Sequence, residues 1–273
     1  MKEKATNILL KVAEKLQMNR YLTAIRNGFN TLLPIIICGA FCSLMTSVVC
    51  STTTTGFSLA KISGLEWLGS LAPIFDAANY ATMNFIAIGL VILIAIDLGR
   101  HYGKKDPLLP IVALGAYISM CVTTVSGTTD SGEAYTVSNV LAVSFTNSQG
   151  LFMAIITGIL STELYLRLTR SKKLVIKMPD SVPPNVSASF STLLPGMLTI
   201  LAFAVFSFVF KGISGMTVSE AITMCIQTPF SYIITTVPGF IFLFMFSNIL
   251  WSFGIHGPQV LQPIYVATML VAL

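Results

Sequence analysis

Charge is what this sequence has least of. Only 10% of its 273 residues are Asp, Glu, Lys or Arg, where a soluble domain carries about 25%. The length would allow two soluble domains, but the polar cover for them is missing. Histidine is nearly absent as well: His101 and His256 are the two in the chain. That excludes an H-E-x-x-H zinc site, and no Ser-His-Asp set is visible. No G-x-x-x-x-G-K-[ST] loop and no G-x-G-x-x-G after a strand occur either, so the chain carries no nucleotide machinery of its own and no cofactor is expected. Cysteine is sparse and buried in apolar sequence. Cys38, Cys42, Cys50, Cys121 and Cys225 lack histidine or carboxylate companions, so they read as small hydrophobes and not as metal ligands.

What is abundant is hydrocarbon. Hydrophobic residues make up 54% of the chain and mean hydropathy is +0.81, the composition of an integral membrane protein. A span needs about 20 apolar residues. Candidates run over roughly 29–49, 80–98, 108–125, 150–168, 190–210 and 230–250, giving an all-α, polytopic fold of about six transmembrane helices.

The net charge of +5 is distributed in a way that rejects nucleic acid as a partner. Lys2, Lys4, Lys11, Lys15, Arg20 and Arg26 lie ahead of or just before the first span. Arg100, Lys104 and Lys105 lie in "GRHYGKKDP", and Arg167, Arg170, Lys172, Lys173 and Lys177 follow the fourth span. Lys61 and Lys211 alone occupy the other loops. Alternate loops are thus basic, which the positive-inside rule reads as a cytoplasmic N-terminus.

Residues 5–18 place Ile8, Leu9, Val12 and Leu16 on one helical side and Lys4, Lys11 and Lys15 largely on the other. This pattern predicts an amphipathic helix, either at an anionic surface or packed on its own protein, and it is not a removable signal peptide. The loop from Ser126 to Gly150 has no Lys or Arg and predicts a small hairpin or short helix. "TTTTG" at Thr52–Gly56 reads as a turn. Pro183 and Pro184 predict a stiff, extended polar connector. In "FGIHGPQVLQP", Phe253 to Pro263, two glycines and two prolines break the helix, giving a re-entrant or broken-helix segment near 251–263. Irregular backbone at membrane depth is tolerated where it lines a cavity, and broken helices build transporter sites.

The candidate site residues gather around that break. His256 sits between Gly254 and Gly257, which allow close backbone approach. Trp251 lies five residues upstream and Asn248 further back. An aromatic face, an imidazole and a side-chain amide suit a sugar, whose C–H faces stack and whose hydroxyls both donate and accept. Asn79, Asn84, Asn185 and Ser187 are further polar candidates near spans. Asp97, Asp106 and Glu163 lie at helix ends near Lys or Arg, where capping or surface pairing accounts for them.

Three stretches, Asn19–Phe41, "VPPNVSASFSTLLPG" and "LWSFGIHGP", resemble the membrane subunit, enzyme IIC, of the lactose/cellobiose/diacetylchitobiose family of sugar phosphotransferase systems. The resemblance implies a homodimeric, multi-pass permease of the bacterial cell membrane that takes up a β-linked disaccharide. A phosphocysteine on the partner IIB subunit, itself charged through IIA, then phosphorylates the sugar 6-hydroxyl, so the IIC chain is the transporting component. It implies that His256 contacts the sugar near that hydroxyl; Gly257, Trp251, Asn185, Asn248 and Asn84 are the companions expected from the residues themselves. The family's acidic partner lies in an Asn-Glu-Pro segment, and no Asn-Glu pair occurs in these residues.

On this basis the expected division is a cytoplasmic N-terminal segment (1–28), a membrane interface or dimerisation domain (29–228) and the start of a transport domain (229–273). Because the chain stops at Leu273 within an apolar run, it is expected to be C-terminally truncated relative to the family. The alternative function is then a dimerisation or assembly fragment that does not transport.

Overall fold

A computed structural model describes residues 18–129, 132–174, 176, 178–179, 182–229 and 235–252. The predicted amphipathic helix at 5–18 and the break at 253–263 lie almost wholly outside these residues. Within them the fold is helical, with one two-stranded hairpin.

Helix α1, Arg20–Leu44, begins well before the predicted span. Its start is set by Asn19, whose side-chain oxygen accepts from the backbone N–H groups of Tyr21 and Leu22 at 2.9 and 3.3 Å. A side chain that satisfies these orphan donors fixes a helix start. A wider turn over Met45–Cys50 extends the apolar run to 31 residues, Arg20–Cys50. Helix α2, Ala72–Met83, opens with Pro73 in its first turn and starts ahead of the predicted second span. It gives way at Asn84 and Phe85 to α3, Ile86–His101.

Helix α4, Leu108–Ser119, is followed by strands β1, Thr124–Thr128, and β2, Ala134–Ser138. They pair antiparallel with Ser126 opposite Thr136, so the loop holds the expected hairpin. A single helical turn at Val143–Thr146 follows it. Helix α5, Leu151–Thr169, leads to α6, Pro184–Ser214, which ends at Gly215 with a φ of 73°. Helix α7, Val237–Ser252, is the last described element.

The connector before α6 ends one residue sooner than predicted. Pro183 is extended, at φ −54° and ψ 140°, but Pro184 is the first residue of the helix. A proline there gives up only an N–H that has no helical partner anyway.

Among the described residues four helical runs are long and apolar enough to cross a membrane: Arg20–Cys50, Glu66–His101, Ser148–Thr169 and Ser189–Ser214. Leu108–Ser119 and Val237–Asn248 are shorter apolar helices at the third and sixth predicted spans. Together they make this a helical membrane protein. Leu33, Ile37, Phe41 and Leu44 on α1 and Val205, Phe206 and Phe208 on α6 are all exposed. So much contiguous apolar surface needs lipid or another protein against it.

Helix α3 is the centre of the bundle because it is apolar on two sides. Ile86, Leu90, Ile94 and Leu98 pack with Ala24, Ile25, Phe29 and Leu32 of α1. Ala87, Val91 and Ala95 face α4 and α5, with Ala113, Ala116, Tyr117, Met153 and Ala154. Between α1 and α3 the approach is reciprocal. A Cβ on Gly28 would lie 2.9 Å from Leu90, and one on Gly89 would lie 2.9 Å from Leu32. Small residues that let helix backbones approach are the usual device where lipid, not water, is the competing solvent.

The start of α1, the end of α3, the start of α4 and the end of α5 meet at one end of this bundle. Side chains at all four of these helix ends are joined there by hydrogen bonds. Arg20, Arg100, Lys104, Lys105, Arg167 and Arg170 therefore share that end. The hairpin, reached after α4 has run away from it, belongs to the opposite one.

Candidate functional site

At the basic end one carboxylate ties three helices. Glu163 of α5 accepts from the Tyr102 hydroxyl, just past α3, at 2.5 Å and from the Tyr21 hydroxyl of α1 at 3.1 Å. The Arg20 guanidinium lies 3.5 Å from the same oxygen and donates to the Tyr21 hydroxyl at 2.7 Å. It also covers both rings, with its carbon 4.8 Å from the Tyr21 centroid and 4.9 Å from that of Tyr102. Burial, and next the hydrogen bond to Glu163, push the Tyr102 phenol up to about 12. The neutral phenol is thus held as a donor across the physiological range.

Beside it Asp106 fixes the start of α4. One oxygen accepts from the Leu108 N–H at 2.9 Å and the other from the Tyr165 hydroxyl of α5 at 2.5 Å. Three hollows open around this residue. One of about 860 Å³ runs between α4 and α6, from Asp106 past Ile111 and Val112 to Thr192, Gly196 and Ile200. A smaller one of about 300 Å³ lies under Tyr165 and Lys104. The third, about 750 Å³, lies at the α3–α4 corner.

Capping and pairing were the expected roles for Asp106 and Glu163, and both are found. What the spacing did not reveal is the part played by Tyr21, Tyr102 and Tyr165. Their signal was available: each is a tyrosine within a turn or two of a helix end beside a basic cluster. Further into the bundle, Asp97 accepts from the Asn27 amide of α1 at 3.0 Å. Asn79 donates to the Gly39 carbonyl at 2.9 Å, and so holds α2 on α1.

The sugar-site candidates are placed unevenly. His256 and Gly257 lie outside the described residues. Trp251 is in the last turn of α7 and Asn185 in the first turn of α6, by backbone position alone. Asn248 is exposed on α7 and donates to the Phe244 carbonyl one turn back, at 2.8 Å. Asn84 ends α2, with its backbone N–H bonded to the Tyr80 carbonyl at 3.3 Å, and is half-buried. Among the described residues no hydrogen bond joins Asn84 to α7.

The order of helices, the hairpin and the basic end can be set against known proteins. A family model described as "Phosphotransferase system, EIIC" matches residues 26–272. The chain belongs to that EIIC family. Its relatives include the oligo-beta-mannoside-specific EIIC component of Bacillus subtilis (strain 168), 28% identical over 264 residues, covering 97% of this chain and 57% of the relative. The cellobiose-specific EIIC component of Geobacillus stearothermophilus is 29% identical over 269 residues, covering 96% and 57%. Among solved structures, the EIIC chain is similar to ChbC, the IIC component from the N,N'-diacetylchitobiose-specific phosphotransferase system. The TM-score is 0.81 at 27% identity, over 94% of this chain and 58% of ChbC. The EIIC chain thus spans a little over half the length of these two relatives and of ChbC.

Proposed function

We propose that this EIIC chain is the permease subunit of a phosphoenolpyruvate-dependent sugar phosphotransferase system and that its substrate is a β-linked disaccharide. Cellobiose, lactose and diacetylchitobiose define the class. The observation that carries this reading is the match to ChbC over nearly the whole chain, joined by relatives named for cellobiose and oligo-β-mannosides.

In this reading the sugar is bound from outside and handed to the cytoplasmic side, where a partner IIB subunit, charged through IIA, acts on it. The sulfur–phosphorus bond of the IIB phosphocysteine breaks as the sugar 6-oxygen forms its bond to phosphorus, and the hydroxyl proton departs. A histidine that accepts from that hydroxyl orients it and can assist the proton's loss, which is the role assigned to His256. Gly257 gives the backbone room, Trp251 offers a face to the sugar ring, and Asn185, Asn248 and Asn84 complete the polar surround. The chain works as a homodimer in the bacterial cell membrane, with residues 29–228 forming the dimer interface and residues from 229 onward opening the transport part. The N-terminus is cytoplasmic, a reading supported by the gathering of the basic clusters at one end of the bundle.

The test is uptake. The gene encoding this chain, expressed with its IIA and IIB partners in a host lacking β-glucoside transport, is given radiolabelled cellobiose, lactose and diacetylchitobiose. Accumulation of at least one as its 6-phosphate, dependent on IIB, is expected. Persistent dimers without uptake of any of the three would favour an assembly role instead.

A further inference from the structure

We propose that the corner between α3 and α4 is a binding site for the phosphate headgroup of an anionic phospholipid. The hollow there, about 750 Å³, is lined by Arg100, Lys104 and Lys105, with Ile96, Leu109 and Pro110 on its apolar wall. Arg100, Lys104 and Lys105 are exposed, and among the described residues no carboxylate lies within ion-pair distance of them; the ion pair found there is Arg20 with Glu163. Asp106, the acid that shares the hollow, has both oxygens engaged, one by the Leu108 N–H and one by the Tyr165 hydroxyl. The hollow thus holds three cations against one carboxylate, and among the described residues none of the three cations is ion-paired.

The placement of the wall selects the occupant. Ile96 lies one turn before Arg100 on α3, inside the apolar run Glu66–His101. The charged mouth is therefore at the end of the membrane-spanning segment and the apolar wall leads back into it. A headgroup phosphate meeting the cations, with the start of its acyl chain against Ile96, Leu109 and Pro110, matches both halves of the hollow. Basic pockets between membrane helices bind anionic headgroups in this way. A free anion would use only the charged half, and a docked acidic protein would leave the apolar wall uncovered. The backbone is shaped for the site: α3 ends in a tight turn at Gly103, φ 69°, where the Lys104 N–H bonds the Gly99 carbonyl at 2.8 Å. This turn holds Lys104 and Lys105 beside the last turn of α3.

The experiment is native mass spectrometry of the full chain extracted from membranes in mild detergent, then titrated with phosphatidylglycerol or phosphatidylcholine. Phosphatidylglycerol adducts are expected to survive and phosphatidylcholine adducts to be lost. The Arg100→Gln/Lys104→Gln variant is expected to weaken phosphatidylglycerol binding at least tenfold, since each cation near a headgroup contributes roughly fivefold. The Lys172→Gln/Lys173→Gln variant removes the same charge outside the hollow and keeps the adducts. Circular dichroism confirms that each variant is folded. Equal loss in both variants, equal retention of both lipids, or displacement by millimolar inorganic phosphate each overturns the proposal. So does retention in the Arg100→Gln/Lys104→Gln variant, or dependence of IIB binding, but not lipid binding, on Arg100 and Lys104.

Discussion

Glu163 shows how much one carboxylate holds in a bundle that has few. It accepts from two tyrosines and faces Arg20, and its side chain is 16% exposed. Glu163→Gln keeps the shape and removes the charge, leaving Arg20 and two hydroxyls with a weaker acceptor. Hydrogen bonds to charged groups contribute about 1.5–3 kcal/mol, so a loss of about 1–3 kcal/mol is expected, read as a lower Tm in detergent. The tyrosine gives the same network a pH signature. The folded Tyr102 pKa, about 12, stands above the ordinary phenol value of about 10. A raised pKa adds stability that is whole below pH ~10 and disappears as pH rises through about 12. Tm should therefore fall across that window in the native protein and fall less steeply in Tyr102→Phe. Parallel slopes would show that the phenol is not coupled to folding. From sequence, Glu163 and Asp106 were legible as paired or capping acids because Lys and Arg stand nearby. Their tyrosine partners were not, since Tyr102 and Glu163 are 61 residues apart and only the packing of α3 on α5 brings them together.

Among the elements, apolar runs of span length were the legible feature. The first, fourth and fifth predicted spans overlie α1, α5 and α6, and the hairpin was one of two forms expected for the loop after α4. The boundaries were harder because local chemistry, not hydropathy, sets them. Asn19 starts α1 by capping it, and Pro184 starts α6 because a first-turn proline costs little. The joint at Asn84 and Phe85 divides one long apolar run into α2 and α3, with no proline or glycine to mark it. The close approach of α1 and α3 was also invisible in single helices, since it depends on Gly28 meeting Leu90 while Gly89 meets Leu32. Gly28→Leu forces these helices apart, and overpacking of this kind costs about 1–3 kcal/mol. A Tm drop is expected, with partial recovery when Leu90→Ala is added. Lack of recovery would mean that Gly28 matters for another reason.

For the molecule as a whole, the charge pattern and the fold agree on a two-ended object. The basic clusters were read along the chain as alternate loops, and the contacts of Glu163 and Asp106 gather the ends that carry them. We propose that the basic end faces the cytoplasm, as the positive-inside rule reads loops rich in Lys and Arg. In a cysteine-free background, an impermeant thiol reagent added to intact cells should label Thr129→Cys beside the hairpin and leave Lys104→Cys and Lys173→Cys unlabelled. The reverse pattern would invert the topology. The proposed sugar site rests on a motif, His256 set between glycines where an apolar run of the sequence breaks. Its companions are spread over α2, α6 and α7, and no local period could group them. The most direct measurement is accumulation of cellobiose 6-phosphate by cells expressing the gene with IIA and IIB, comparing the native protein with His256→Ala. Loss of one buried hydrogen-bonding partner costs about 1–3 kcal/mol, so apparent affinity should fall roughly tenfold to a hundredfold while membrane levels and dimers persist. Uptake and affinity unchanged in His256→Ala would contradict the sugar site proposed for this chain.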